Sequence, residues 1–171
     1  GHNNVRVLNG SLQAWRSAKL PTRGGEEAYQ PATFTPSLRP ELFATTREVA
    51  EGMDGAVCTI NALPAPVYEG SGDFYYGRKG HIPGSLSLPF SDLLREEYFL
   101  PADELQKLLS AQNMLNESRT LIYCGGGIAA TLDGFACMLL GQPTGGVYDG
   151  SRSAGASDPD RPLTLGAPPY F

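Results

Sequence analysis

The chain has 171 residues, 41% hydrophobic and 18% charged, which is enough for one domain-sized core and too little for two. Its formal net charge is -5, with 13 Lys and Arg scattered rather than gathered into a stripe, so no electrostatic footprint for nucleic acid is present. The longest apolar runs, such as CMLL at 137–140, are far too short to span a bilayer, so no membrane association is expected.

The chain opens GHNNVRVLNG, without an initiator methionine or signal-peptide character, and reads as a cut. Val5 to Leu8 alternates like a strand, Asn9-Gly10 turns, and Ser11 to Ala18 sets Leu12 and Trp15 on one helix face. One strand and one helix make no domain, so residues 1–25 are expected to be the remnant of a preceding unit. Pro21 to Pro40 holds four prolines, two adjacent glycines and the polar run EEAYQ, and residues 26–40 read as a linker. Residues 41–171 then form the domain proper, ending in a Pro-rich tail.

Thr45 and Glu48 fit a capping box for a short helix running to about Met53. Ala56 to Ile60 reads as a short buried strand, with Cys58 as a core thiol. Asn61 to Gly80 reads as a long loop rich in Gly, Pro and Tyr, and HIPGS turns into the strand Ser85 to Leu88. Pro101 suits a first helical position, with Asp103 and Glu104 in the first turn and Leu105, Leu108 and Leu109 as the buried stripe.

The run LIYCGGGIAAT at 121–131 places a cysteine between a strand and a helix. That helix shows Leu132, Phe135, Ala136, Leu139 and Leu140 at helical spacing, stops at Gly141, and carries Cys137 beside the stripe as a structural thiol. Asp133, one turn in, reads as a surface residue. A strand at Gly146 to Tyr148 leads into an irregular tail. Strands alternating with helices predict an α/β domain with a mainly parallel sheet.

In such sheets ligands bind beyond the carboxyl ends of the strands, which is where Cys124 falls. Gly125, Gly126 and Gly127 are expected to take positive φ and turn several amides toward one point, an anion-binding nest capped by the dipole of the next helix. The same field favours a nucleophilic thiolate. On the loop alone, this reading and that of a tight turn around a buried cysteine are equally open. Cys58, Cys124 and Cys137 match neither a disulfide framework nor a zinc site, which favours free thiols, a reducing compartment and a cytoplasmic location.

VRVLNGSLQAW, RPELFAT, YGRKGHIPGSLSLPF, LIYCGGGIAAT, VYDGSRS and SDPDRPL occur in one order along nearly the whole chain. Together they resemble the C-terminal catalytic repeat of a tandem-domain rhodanese, the sulfurtransferase family. The resemblance implies a rhodanese-like α/β fold, a parallel sheet flanked by helices with the catalytic Cys loop between a strand and a helix. It implies ping-pong transfer of a sulfane sulfur from thiosulfate, or with 3-mercaptopyruvate as second choice, to cyanide or another thiophilic acceptor through a Cys124 persulfide. The amides of Gly125, Gly126, Gly127, Ile128 and Ala129 would cradle the persulfide, with Arg78 and Arg152 as substrate-binding cations and no metal or organic cofactor. The implied partners are a small anionic sulfur donor and a thiophilic acceptor, and the surface left by a missing first repeat could associate with another copy.

The sequence departs from that pattern in several places. Asn61 stands where many members carry Asp, Val67 precedes Tyr68 where an Arg is common, and Gly125 and Gly126 replace the usual loop side chains. Arg152 and Gly155 stand where the tail motif has aromatics. Lys79 is a further cation near the motif, and His81 is expected to fix a turn rather than to shuttle protons. Dual-specificity phosphatases share the fold, but their loop ends in an arginine where this chain has Ala129 or Ala130, which argues against phosphatase chemistry. A non-enzymatic rhodanese-like module, carrying sulfur or binding a partner, is the alternative reading.

Overall fold

The computed structural model describes residues 2–167, except positions 75, 117, 143, 144 and 157, and only the backbone at 154–156. The elements in chain order are α1 (Ser11–Ser17), α2 (Thr46–Glu51), β1 (Cys58–Asn61), α3 (Ala65–Glu69), β2 (Leu86–Ser87), β3 (Leu94–Arg95), β4 (Tyr98–Phe99), α4 (Ala102–Ala111), β5 (Thr120–Tyr123), α5 (Ala130–Leu139), β6 (Gly145–Val147) and α6 (Ser151–Ala156). A parallel sheet of order β2-β1-β5-β6 forms the centre, and β3 and β4 pair as a separate antiparallel ribbon. The α/β expectation and its parallel sheet hold.

Strand β5 shows why the sheet sits in the middle. All four of its residues are buried, and its period of two sends Ile122 to one face and Leu121 and Tyr123 to the other. Ile122 joins Ile60, Leu93, Leu105, Leu109 and Cys137 under α4 and α5, whereas Leu121 and Tyr123 join Val49, Ile82 and Tyr148 under α2. A strand buried on both faces reads as an unbroken apolar run, as TLIY does.

The capping box forms. Thr45 Oγ1 accepts from the Glu48 amide at 3.2 Å and Glu48 Oε2 accepts from the Thr45 amide at 2.7 Å. Glu48 also takes Nε and Nη2 of Arg119, at 3.2 and 3.1 Å, which ties α2 to the start of β5. On α4, Leu105 and Leu109 are buried as expected. Cys58 is half-buried and Cys137 fully buried.

Several expectations are corrected. Val5 to Leu8 forms no strand and is exposed, and among the described residues no strand pairs with it. The segment expected to be one loop from Asn61 to Gly80 contains α3, started by Pro64 and stopped by Gly70 at φ 77°. The tail opens with a helix, α6, before becoming irregular, and 168–171 lie outside the described residues.

On α5 the buried face is Ala130, Asp133, Gly134, Ala136 and Cys137, while Leu139 is 52% exposed. The helix is rotated from the leucine stripe because it packs tightly on β6: a methyl group at Gly134 would already sit 3.2 Å from Val147 Cγ2. Small residues therefore face the sheet. Asp133 consequently lies at 0% exposure instead of on the surface, with neither carboxylate oxygen partnered among the described residues.

Helix α1 forms as expected, but none of its residues is buried. Its start rests on the ribbon, where Asn9 Oδ1 accepts from the Phe99 amide at 3.0 Å. Residues 20–39 contain no helix or strand and are almost wholly exposed, in keeping with a linker composition.

Candidate functional site

Strand β5 ends at Tyr123 and α5 begins at Ala130, so Cys124 and the five residues after it bridge a strand end to a helix N-terminus at the carboxyl edge of the sheet. Cys124 is 2% exposed. None of the amides of Gly125, Gly126, Gly127, Ile128 and Ala129 donates to any group among the described residues. Ala129 caps α5 with no side-chain bond, and the Thr131 and Leu132 amides of its first turn donate to the carbonyls of Ile128 and Ala129 at 3.1 and 3.0 Å. Five amides undonated among the described residues, in the loop that joins the cysteine to a helix N-terminus, make a ready binding place for negative charge.

Two of the three glycines are required, each for a different reason. Gly127 alone has positive φ, 84°, and a Cβ there would meet the Asp149 carbonyl at 2.7 Å and its Oδ1 at 2.8 Å. Gly125 lies outside the left-handed region, but a Cβ built on it would overlap Cζ, Cε1 and Cε2 of Tyr76. Gly126 is exposed, and its nearest neighbour would be Ser153 Oγ at 4.0 Å. The expectation of positive φ at all three is corrected accordingly.

What holds the loop comes from the far end of the chain. Ser151 is fully buried, with φ 44°, and its Oγ accepts from the Cys124 amide at 3.1 Å and donates to the Tyr148 carbonyl at 2.7 Å. Oγ lies 4.0 Å from Cys124 Sγ, but its single proton is committed to Tyr148, so this contact is packing. The Arg152 amide donates to the Cys124 carbonyl at 3.2 Å, and the Ser153 amide and hydroxyl donate to the Gly125 carbonyl at 2.9 and 2.8 Å. The GSRS segment thus clamps both sides of the cysteine. The sequence reading missed Ser151, Ser153 and Tyr76; only the position of DGSRS one strand beyond the loop hinted at the first two.

The HIPGS motif builds the neighbouring wall. Tyr123 Oη accepts from the Ile82 amide at 3.0 Å and donates to Ser85 Oγ at 2.8 Å, since the Ser85 proton goes to the Ile82 carbonyl at 2.7 Å. His81 is buried, stacks on Tyr68 at 3.7 Å with 6° between rings, and donates through Nδ1 to the Tyr68 carbonyl at 3.0 Å. Burial lowers its pKa, and the charge of Arg152 adds to this against the Tyr68 bond. A neutral histidine locked this way fixes a turn, as expected, and its backbone pairs with Thr164 in the tail. Asn61 keeps an orienting role without charge, its Oδ1 accepting from the Leu63 amide at 2.8 Å.

The two candidate cations are placed differently. Arg78 donates through Nη1 to the carbonyl of Arg161 at 2.8 Å and weakly to that of Asp158, so its charged head lies on the tail. Arg152 is 2% exposed, donates through Nη2 to the Arg78 carbonyl, and leaves Nε and Nη1 without a partner among the described residues. Burial pulls its pKa below the usual guanidinium value, Arg78 adds to that, and the Tyr123 and Tyr76 phenols oppose it. It stays charged at any ordinary pH. A cavity of about 550 Å³ between α2 and the tail is lined by Val49, Met53, Ile82, Tyr148, Ser151 and Arg152 among others, but not by Cys124.

A cysteine loop at the end of a central parallel strand thus leads into α5 and is clamped by the chain that follows β6. The rhodanese-like domain model matches residues 49–158, and the chain belongs to that family. Two curated relatives are a probable 3-mercaptopyruvate sulfurtransferase from Pseudomonas aeruginosa, 32% identical over 96% of this chain and 59% of that protein, and a putative thiosulfate sulfurtransferase, SseB, from Mycobacterium tuberculosis, 32% identical over 97% and 59%. Among solved structures, SseA from Escherichia coli, described as a 3-mercaptopyruvate sulfotransferase with the rhodanese fold, is 26% identical at a TM-score of 0.71, over 84% of this chain and 54% of that one. The chain thus spans little more than half the length of the relatives it matches.

Proposed function

We propose that this chain is a sulfurtransferase that moves a sulfane sulfur from thiosulfate or a similar donor to cyanide or another thiophilic acceptor through a persulfide on Cys124. The observation that carries this reading is the run of five amides from Gly125 to Ala129, undonated among the described residues, that joins the cysteine to the start of α5. The Cys124 thiolate attacks the outer sulfur of thiosulfate; the S–S bond breaks and sulfite leaves with its electron pair. Cyanide then attacks the outer sulfur of the persulfide, thiocyanate departs and the thiolate is regenerated. The free amides meet the negative charge of the persulfide without reorganising, which is how a fixed set of donors lowers a barrier. Arg152, buried with two nitrogens unpartnered among the described residues, draws the anionic donor, and Arg78 contributes the carbonyl that holds it. The absence of an arginine at Ala129 and Ala130 speaks against phosphate chemistry.

The test is intact mass after incubation with thiosulfate or with 3-mercaptopyruvate, beside Cys124→Ser, followed by cyanide and a thiocyanate assay. One added sulfur on the parent alone, discharged by cyanide, is the expected result. No gain with either donor would overturn the enzyme reading and leave a binding module.

A further inference from the structure

Loop position 125 holds a glycine for a reason outside the loop. Its backbone is open to any L residue, yet a Cβ there would fall inside the Tyr76 ring. The ring therefore fills, from a segment 49 positions earlier in the chain, the space that a side chain on the cysteine loop would take. Tyr76 is half-buried, packs on the core cluster that includes Cys124, and meets Phe74 edge-to-face with centroids 5.0 Å apart at 78°. Its segment is pinned on both sides: Gly70 and Gly80 turn with positive φ, and His81 pairs with Thr164.

The surroundings of that ring are uneven in polarity. Phe74 is 61% exposed and Ile128 82% exposed, so the approach to the cysteine loop is apolar. Arg152 reaches the same segment, its Nη2 on the carbonyl of Arg78, whose amide in turn donates to the Tyr76 carbonyl at 2.9 Å, and its Nε and Nη1 have no partner among the described residues. The Tyr76 ring thus stands against the residue next to Cys124, and a buried cation is held by the same segment. An aromatic face stabilises a flat apolar body and offers nothing to the strongly hydrated oxygens of a small dianion.

We infer that Tyr76 is the specificity-determining residue of the sulfur-donor site, selecting donors with one negative charge and a planar apolar body over inorganic thiosulfate. An aryl thiosulfonate, Ar–SO2–S⁻, is the simplest such donor. The Cys124 thiolate takes its outer sulfur, the S–SO2 bond breaks, and the aryl sulfinate leaves with the electron pair, so charge and atoms balance. The inference rests on the sulfurtransferase reading, with the steric coupling of positions 76 and 125 standing apart from it.

The experiment measures single-turnover sulfur loading of Cys124 by intact mass, with thiosulfate and with benzenethiosulfonate, in the parent, Tyr76→Ala, Gly125→Lys and the double variant, with thermal denaturation of each. The parent is expected to load faster from benzenethiosulfonate. Tyr76→Ala should slow that loading about 5- to 10-fold, the equivalent of one aromatic contact, while thiosulfate loading changes by less than about twofold. Gly125→Lys should lose loading from both donors and lower Tm. The double variant should recover Tm and load preferentially from thiosulfate, because the lysine then occupies the vacated space. Equal changes for both donors in Tyr76→Ala, or a Gly125→Lys protein as stable and active as the parent, would overturn the inference. A parent that loads from neither donor would bring down the sulfurtransferase reading and the selectivity with it, while recovery of Tm in the double variant would still report the steric coupling.

Discussion

Ser151→Ala removes the hydroxyl that joins the cysteine loop to the end of β6. One buried group is orphaned, the Cys124 amide 3.1 Å from Oγ, while the Tyr148 carbonyl loses its 2.7 Å bond from the hydroxyl but keeps the Ser151 amide at 3.1 Å. Ser151 is fully buried, so water cannot replace the hydroxyl without opening the clamp. An orphaned buried amide costs about 1–3 kcal/mol and a lost hydrogen bond about 0.5–1.5 kcal/mol, so the substitution is expected to cost about 2–4 kcal/mol. For a chain of this size that lowers Tm by roughly 5–15 °C. The freed Cys124 amide also loosens the nucleophile, and small displacements of reacting atoms are costly, so sulfur loading is expected to slow by about tenfold or more. Ser151→Gly separates the two contributions. It loses the same hydrogen bonds but relieves the left-handed backbone at φ 44°, which recovers up to about 1 kcal/mol relative to alanine. The assays are thermal denaturation and persulfide formation by intact mass. A Ser151→Ala protein with Tm within about 1 °C of the parent and unchanged loading would refute the claim that this hydroxyl positions the loop.

Gly127→Ala and Gly126→Ala should differ sharply. Alanine at 127 needs φ 84° and collides with Asp149, so it should lower Tm and abolish sulfur loading, whereas alanine at 126 meets nothing nearer than 4.0 Å and should behave as the parent in both assays. Asp133 is buried with neither oxygen partnered among the described residues, and burial first, then the charge of Asp92, raises its pKa well above the usual carboxylate value. A raised acid favours the native state below about pH 3.9, and that contribution is lost as pH rises through the folded-state value. Asp133→Asn should therefore raise stability near pH 7.5 by about 1 kcal/mol or more and flatten the dependence of Tm on pH; an unchanged or lower Tm would contradict this. Burial pushes Cys58 up to about 11 and Cys137 up to about 12. In the folded Cys124→Ser protein, peptide mapping after maleimide treatment at pH 8 should find neither of them labelled, and rapid labelling of either would refute its place in the core.

The local signals in this sequence were strong where short-range physics decides. The capping box at Thr45 and Glu48, the leucines of α4, the buried run of β5 and the strand-to-helix setting of Cys124 all follow from spacing and residue type, because backbone amides near a helix start and the period of a strand are satisfied by near neighbours. Position along the chain also foretold that the loop would sit at the carboxyl edge of a parallel sheet. What the linear pattern could not contain was which distant groups meet. The face of α5 was decided by the close approach of β6, which admits Gly134 and Cys137 and turns Leu139 outward, carrying Asp133 inside with it. The need for glycine at 125 was decided by Tyr76, and the hold on the cysteine by Ser151 and Ser153, each reached across a crossover. The sequence by itself determined a nucleophile at a helix N-terminus. The tertiary structure alone decided how that nucleophile is clamped and what stands over it, since a side chain's surroundings depend on chain segments that no local spacing records.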